Sequence, residues 1–239
     1  MRHPEKDGVD LAKLDGVTVL ALDVSKREQI DAAVDTAIAK HRNIDVVFNN
    51  AGYGLAGPFE GATDEDLVRQ IDTNLLGVLR VTKAFLPHFR ERKQGVFIAT
   101  TSIGGHVTFP FNSVYHATKF GLEGWSESLA YELAEHGIRV KTVAPGGIKT
   151  DFAGRSLVLT KHPAYAKAME KALAAFMNPA RTAGASTPEQ IAEVVWDAAT
   201  DGKDQVTYMA GADAKATLAR RLELGVARFR TDIAAAFLG

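Results

Sequence analysis

Residues 102–119, SIGGHVTFPFNSVYHATK, decide how the rest of the chain is read. They follow an apolar run, residues 96–99, with the length and bounds of a buried strand, and they lead into a long amphipathic helix. Within that helix Tyr115 and Lys119 are four residues apart, so both side chains stand on one face, one turn from each other. Free tyrosine titrates near ~10, and an adjacent cation favours the phenolate and lowers that value. Ser102, in the loop at the end of the strand, can present a hydroxyl to a substrate oxygen. A Tyr four before a Lys also arises by composition alone, so the pair gains weight only from its surroundings.

Working outward, residues 17–22 are β-branched and apolar and predict a short buried strand ending at Asp23. Ser25 is the expected cap of a helix through Ile30, Val34 and Ile38, with Lys40, His41 and Arg42 at its end as the macrodipole favours. Residues 44–48 are the next strand, followed by the Gly-rich turn NNAGYGLAG. Thr63 caps one long helical region reaching Arg92, with Leu67, Ile71, Leu75, Leu79, Phe85 and Phe89 on its inner face. After the Tyr115 helix, Gly137 is a stop and residues 138–143 are a strand. Thr187-Pro188-Glu189-Gln190 is a capping box opening a helix to about Thr200, and residues 205–209 make a last strand. The tail, residues 214–239, is amphipathic, with Leu218, Leu222, Val226, Phe229 and Ile233 along one side.

Short apolar strands alternating with amphipathic helices predict βαβ units and a parallel sheet covered on both faces. In such sheets ligands bind at the carboxyl ends of the strands. Asp23, residues 49–52, Ser102 and residues 145–150 all fall at such ends and so gather along one edge. That convergence is the physical argument for a site.

Composition narrows the partners. With 239 residues, a formal charge of −1, 24% charged and 46% hydrophobic residues, the chain reads as one ordinary globular domain, 1–239. The near-neutral balance gives no reason to expect nucleic acid or an anionic membrane as partner. Cysteine is absent, and the seven histidines show no HxxxH or HExxH spacing, so no metal site is expected. No apolar run approaches ~20 residues and MRHPEKDGVD is no signal peptide, so the expected compartment is the cytoplasm.

Gly52-Tyr53-Gly54-Leu55-Ala56-Gly57 matches the dinucleotide fingerprint GxGxxG literally. A phosphate site of that kind needs a helix to begin inside the motif and aim its amides at the anion. Here Pro58 and Gly61 keep the chain irregular until Thr63, so the match is set aside.

Taken together, Asp23 after a strand, Asn49-Asn50-Ala51-Gly52, Asn74 in TNLLG, Ser102, Tyr115-x-x-x-Lys119 and Pro145-Gly146-Gly147-Ile148-x-Thr150 resemble the short-chain dehydrogenase/reductase superfamily. The segments NNAGYG, YHATKFGLEG and PGGIKTDF look most like its NADP-preferring branch near hydroxysteroid and retinol dehydrogenases. The resemblance implies a Rossmann-type, doubly wound α/β fold and interconversion of an alcohol with a ketone or aldehyde. It implies NADP(H) in preference to NAD(H) and a homodimer or homotetramer paired through the Tyr115 helix and the long helix before it. Tyr115 would be general acid and base, Lys119 would lower its pKa and hold the nicotinamide ribose, and Ser102 would bind the substrate oxygen. Asn74 would hold a relay water. Asp23 would meet the adenine, Arg2 the 2′-phosphate, and Asn50, Ala51 and Gly52 the adenosine. Pro145 and Gly146 would let the backbone approach the ring, and Ile148 and Thr150 would contact the carboxamide. Residues 152–184, with Phe152, Leu157, Leu159, Met169, Phe176 and Met177, would form a lid over an apolar substrate.

The departure from the family is at the N-terminal end. The first strand, the TGxxxGxG loop, the first helix and most of the second strand are missing, roughly 30 or more residues for one βαβ unit. That loop supplies the amides that bind pyrophosphate. The truncated sheet is expected to close by pairing the Asp23 strand directly with the strand ending at Asn49, through a right-handed crossover. The rival function is a non-catalytic scaffold used for binding or regulation.

Overall fold

The computed structural model describes residues 1–152, 154–180 and 183–239. Its strands are β1 (Val46–Asn49), β2 (Gly54–Ala56), β3 (Gly95–Thr100), β4 (Ile138–Pro145), β5 (Leu157–Leu159) and β6 (Thr207–Ala210). The longer helices are α1 (Arg27–His41), α2 (Asp64–Ile71), α3 (Gly77–Arg92), α4 (Ser113–Leu133), α5 (Ala166–Phe176), α6 (Pro188–Thr200) and α7 (Ala212–Leu238).

Strands β1, β3, β4 and β6 form one parallel sheet in the order β1-β3-β4-β6. Alternation along β3 shows why it is central. Phe97 faces a cluster of Ile30 and Val34 from α1, Val81 and Phe89 from α3, and Leu129 from α4. Its neighbours Val96 and Ile98 point the other way, onto Ile191, Val194 and Ala198 of α6. A strand buried on both sides must be apolar at every position, which is why GVFIAT carries no polar alternation.

Several expectations are corrected. Residues 17–22 join no sheet; their pairing is with the first residue, Leu22 N–H donating to Met1 O at 2.9 Å. The reason lies in where the segment's apolar groups go. Leu22 and Val24 pack on the helix layer, and Val24 sits at the start of α3, where a Cβ on Gly77 would stand 2.7 Å from its methyl. The closure of this segment onto β1 is therefore not made, and β1 has no strand on its outer side among the described residues. Val46 and Phe48 are 36% and 40% exposed there. Ser25 is not the cap of α1 either: Lys26 holds that position, and Ser25 donates its hydroxyl to Asp23 Oδ1 at 2.8 Å.

The helical region from Thr63 to Arg92 forms as expected, but it is not α-helical throughout. A Thr63–Asp66 capping box opens α2, and a π turn, Asp72–Leu76, separates it from α3. In the tail, Gly225 has φ 69°, which breaks the helical register of α7. Phe229 is buried as expected, whereas Leu222 and Val226 are 74% and 63% exposed.

The Gly-rich turn after β1 also holds a strand. β2 pairs in parallel with β5, Leu55 opposite Val158. Gly57, at φ 128°, lies so close to Thr160 that any Cβ there would collide with its backbone carbonyl. The GxGxxG string is thus explained by close backbone packing, and α2 begins only at Asp64, outside it.

Both halves of the expected capping box on α6 form: Gln190 N–H donates to Thr187 Oγ1 at 3.3 Å, and Thr187 N–H to Gln190 Oε1 at 2.9 Å. Thr187→Ala is expected to cost about 1 kcal/mol. The check is a urea melt, in which the midpoint falls while the slope stays unchanged.

Candidate active site

The carboxyl end of β3 and the first turns of α4 build the site. At Thr100 the strand stops, and its hydroxyl donates to Asn50 Oδ1 at 2.7 Å, fastening the loop after β1 to the end of β3. Ser102 follows in a short turn in which its Oγ accepts the Gly104 N–H at 2.9 Å. Helix α4 then brings Tyr115 back over this turn, near enough for the Ser102 hydroxyl to act on the Tyr115 phenol. Lys119, one turn on, is 6% exposed; its Nζ donates to Thr100 O at 2.7 Å and lies 5.8 Å from the centre of the Tyr115 ring. The phenol, the hydroxyl and the ammonium therefore meet at the mouth of the sheet.

Burial dominates the electrostatics. It pushes the Tyr115 phenol above its ordinary value, and the Ser102 hydroxyl pulls against it without prevailing. The lowering expected from Lys119 does not show as a net effect on this phenol, where loss of water is the largest influence. Burial also lowers Lys119 to about 8, opposed by the charge of Glu123.

Asn74 sits in the π turn, fully buried, and both ends of its amide are taken by Tyr53: Nδ2 donates to Tyr53 O at 2.8 Å and Oδ1 accepts Tyr53 N–H at 3.0 Å. Gly52 closes this group. A methyl placed on it would stand 3.3 Å from Asn74 Oδ1 and 3.9 Å from Lys119 Nζ, so the loop of Asn50, Ala51 and Gly52 lies directly over the lysine.

The remaining residues are arranged in two further groups. At the end of β4, Pro145 is buried, Gly146 N–H donates to Ala210 O, and Gly147 N–H to Asp213 Oδ2 at 2.7 Å. Ile148 bridges to Ser186, and Thr150 is exposed beyond it. Asp23 turns its carboxylate onto Ser25, accepting from its N–H and hydroxyl. Burial pushes that carboxyl up, but the Ser25 bonds and the charges of Arg2 and Lys26 outweigh it and leave it below the usual range. Arg2 is exposed and near enough to be felt by Asp23.

Two residues were missed by sequence reasoning. Glu123 stands one turn past Lys119 on the same face of α4, a spacing that could have revealed it. Its Oε2 accepts from Thr142 Oγ1 at 2.9 Å and Thr207 Oγ1 at 3.2 Å, and His106 Nε2 lies 3.1 Å from Oε1. Asp213, which braces Gly147, comes from α7, and no local pattern signals it.

Residues 9–157 match the family model described as short chain dehydrogenase. The chain belongs to that family. An uncharacterized oxidoreductase of Schizosaccharomyces pombe is 37% identical over 211 residues, 88% of each chain. Human retinol dehydrogenase 8 is 40% identical over 134 residues, 54% of this chain and 43% of that one. Among solved structures, a short-chain dehydrogenase from Streptomyces avermitilis superposes with a TM-score of 0.80 at 31% identity, covering 98% of this chain and 84% of that one. ElxO with NADP bound superposes with a TM-score of 0.70 at 25% identity, covering 87% and 83%. Among the described residues no helix is long and apolar enough to cross a membrane.

The buried lysine of this dehydrogenase gives a signed prediction. Its pKa falls from 10.5 to about 8 on folding, so the unfolded chain binds more protons between those values. Stability contributed by this group is therefore present above the unfolded value and lost as pH drops through the folded one. Denaturant midpoints are expected to rise from pH 8 to 10 in the parent relative to Lys119→Met; parallel curves would contradict this.

Proposed function

We propose that this chain is an NADP(H)-dependent dehydrogenase/reductase that interconverts an alcohol and a ketone or aldehyde on an apolar substrate. The observation that carries the reading is a buried Lys119, fixed on Thr100 O and 5.8 Å from the centre of the Tyr115 ring, at the carboxyl end of the sheet where Ser102 also lies. When bound, the nicotinamide supplies or accepts the hydride. The chain's own groups handle the oxygen: the Ser102 hydroxyl donates to it, and the Tyr115 phenol, kept protonated by burial, delivers a proton as charge develops there. In the oxidative direction Tyr115 takes the proton back, and the nearby Lys119 ammonium stabilises the phenolate.

The fit of the cofactor differs between its two ends. The nicotinamide end is favoured by the backbone opening at Gly52 beside Lys119 and by the braced residues 145–147. Arg2, exposed next to Asp23, supports a 2′-phosphate and hence NADP(H), as does the likeness to NADP-bound ElxO. At the pyrophosphate end the described residues hold no helix that starts within a Gly-rich loop, and this favours a second reading, a non-catalytic scaffold.

The apolar substrate class rests on residues 152–184, where Phe152, Leu159 and Met177 remain exposed, and Phe152 leans over Gly54. Pairing of two or four copies through α3 and α4 is part of the proposal, supported by the exposed Phe120 and Tyr131 on α4.

Titrating NADPH to about 1 mM is expected to quench tryptophan fluorescence and raise the melting temperature, by mass action on the folded state. A null result in both would favour the scaffold. Tyr115→Phe is expected to cut turnover by about 10²–10⁴-fold while NADPH binding is unchanged. Turnover near the parental value would mean that another group is the acid.

A further inference from the structure

His116 lies next to Tyr115 on α4 but has no part in the proton transfer just described. It is 6% exposed, and its ring makes two hydrogen bonds to one loop. Nδ1 is 2.7 Å from Gly104 O, and Nε2 is 2.9 Å from Phe109 N. A backbone N–H can only donate and a carbonyl can only accept. Nε2 must therefore be the bare nitrogen, and Nδ1 must carry the hydrogen. The two backbone partners thus select one neutral tautomer.

We propose that His116 is a positioning residue whose neutral imidazole holds the loop between β3 and α4 and so sets the Ser102 hydroxyl against the Tyr115 phenol. The chain of contacts is short. His116 donates to Gly104 O, Gly104 N–H donates to Ser102 Oγ, and the Ser102 hydroxyl acts on the Tyr115 phenol, whose ring also packs on His116. Gly104 is gripped by both side chains: a methyl on it would stand 2.9 Å from His116 Nδ1 and 3.2 Å from Ser102 Oγ. Among the described residues, the backbone–backbone bonds of residues 102–107 close within that same stretch, so the imidazole ties its backbone to α4. The ring is also wedged edge-on to Tyr115, centroids 5.9 Å apart, and tilted against Phe109 at 6.0 Å. Burial lowers the imidazole pKa, which keeps the neutral form in place. A proton added at Nε2 would face the Phe109 N–H and break that tie. The role rests on the reading of Ser102 and Tyr115 as the proton-handling pair.

The test uses the full chain without cofactor or substrate. In ¹⁵N-histidine-labelled protein, His116 is expected as the Nδ1–H tautomer. In His116→Leu, amide exchange over residues 102–112 is expected to speed up on the order of ten-fold, for two lost hydrogen bonds. Tyr115, followed by ¹³Cζ labelling, is expected to titrate higher in His116→Leu because the Ser102 hydroxyl that lowers it is less firmly held. His116→Gln, which can both donate and accept, is expected to restore part of each effect. An Nε2–H tautomer in the parent would overturn the proposal, as would a Tyr115 titration unmoved in His116→Leu, whether or not the loop exchanges faster. If His116→Leu does not fold, the parental tautomer and the Tyr115 titration of His116→Gln decide. None of these readouts depends on turnover, so a failed dehydrogenase assay and a failed positioning role are told apart.

Discussion

A single buried ammonium constrains the rest of the site. Lys119 crosses from α4 to the end of β3, and one of its hydrogens is held by Thr100 O. A charge withdrawn from water is tolerated only where its donors are satisfied and an opposite charge is close. The carbonyl meets the first need and Glu123, one turn further along α4, meets the second. Glu123 is in turn held below the usual carboxylate range: burial works against it, but the Thr142 hydroxyl bond and His106, 3.1 Å from Oε1, help to outweigh that. The polar cluster behind the lysine thus ties the strand ends at Thr142 and Thr207 to the helix that carries the phenol.

The same constraint explains the crowding of small residues around it. Gly52 leaves room for the amine, and Gly105 lies against both Lys119 O and the Glu123 side chain. Asn74 anchors Tyr53, so the loop after β1 is held from α3's side as well as from Thr100. The π turn at Asp72–Leu76 places that asparagine: one extra residue in the helical turn swings its side chain inward, where a continuous α-helix would carry it past.

Much of this was legible beforehand because it depends on local rules. The four-residue spacing of Tyr115 and Lys119 fixes a shared face, the cap at Thr63 and the capping box at Thr187 fix two helix starts, and the apolar run of β3 fixes a buried strand. What could not be read depends on partners distant in sequence. The fate of residues 17–22 was decided by Val24 finding Gly77 in the helix layer, which β propensity cannot foresee. The direction of the Tyr115 shift required its burial, and spacing alone reports only the cation. The brace on Gly147 by Asp213 joins residues 66 apart, and the apolar stripe of the tail does not run on through Val226 because Gly225, at positive φ, resets the helix phase. The role of the GxGxxG string as close packing against Thr160 likewise belongs to a contact a hundred residues away.

That last contact also limits how the segment around β5 can behave. Three rungs of parallel backbone pairing between β2 and β5, with Gly54 N–H donating to Ser156 O and Thr160 N–H to Ala56 O, stitch this segment to the loop after β1. These residues are therefore not a free flap. Any movement of β5 has to drag β2 with it, and with β2 the loop that runs beside Lys119.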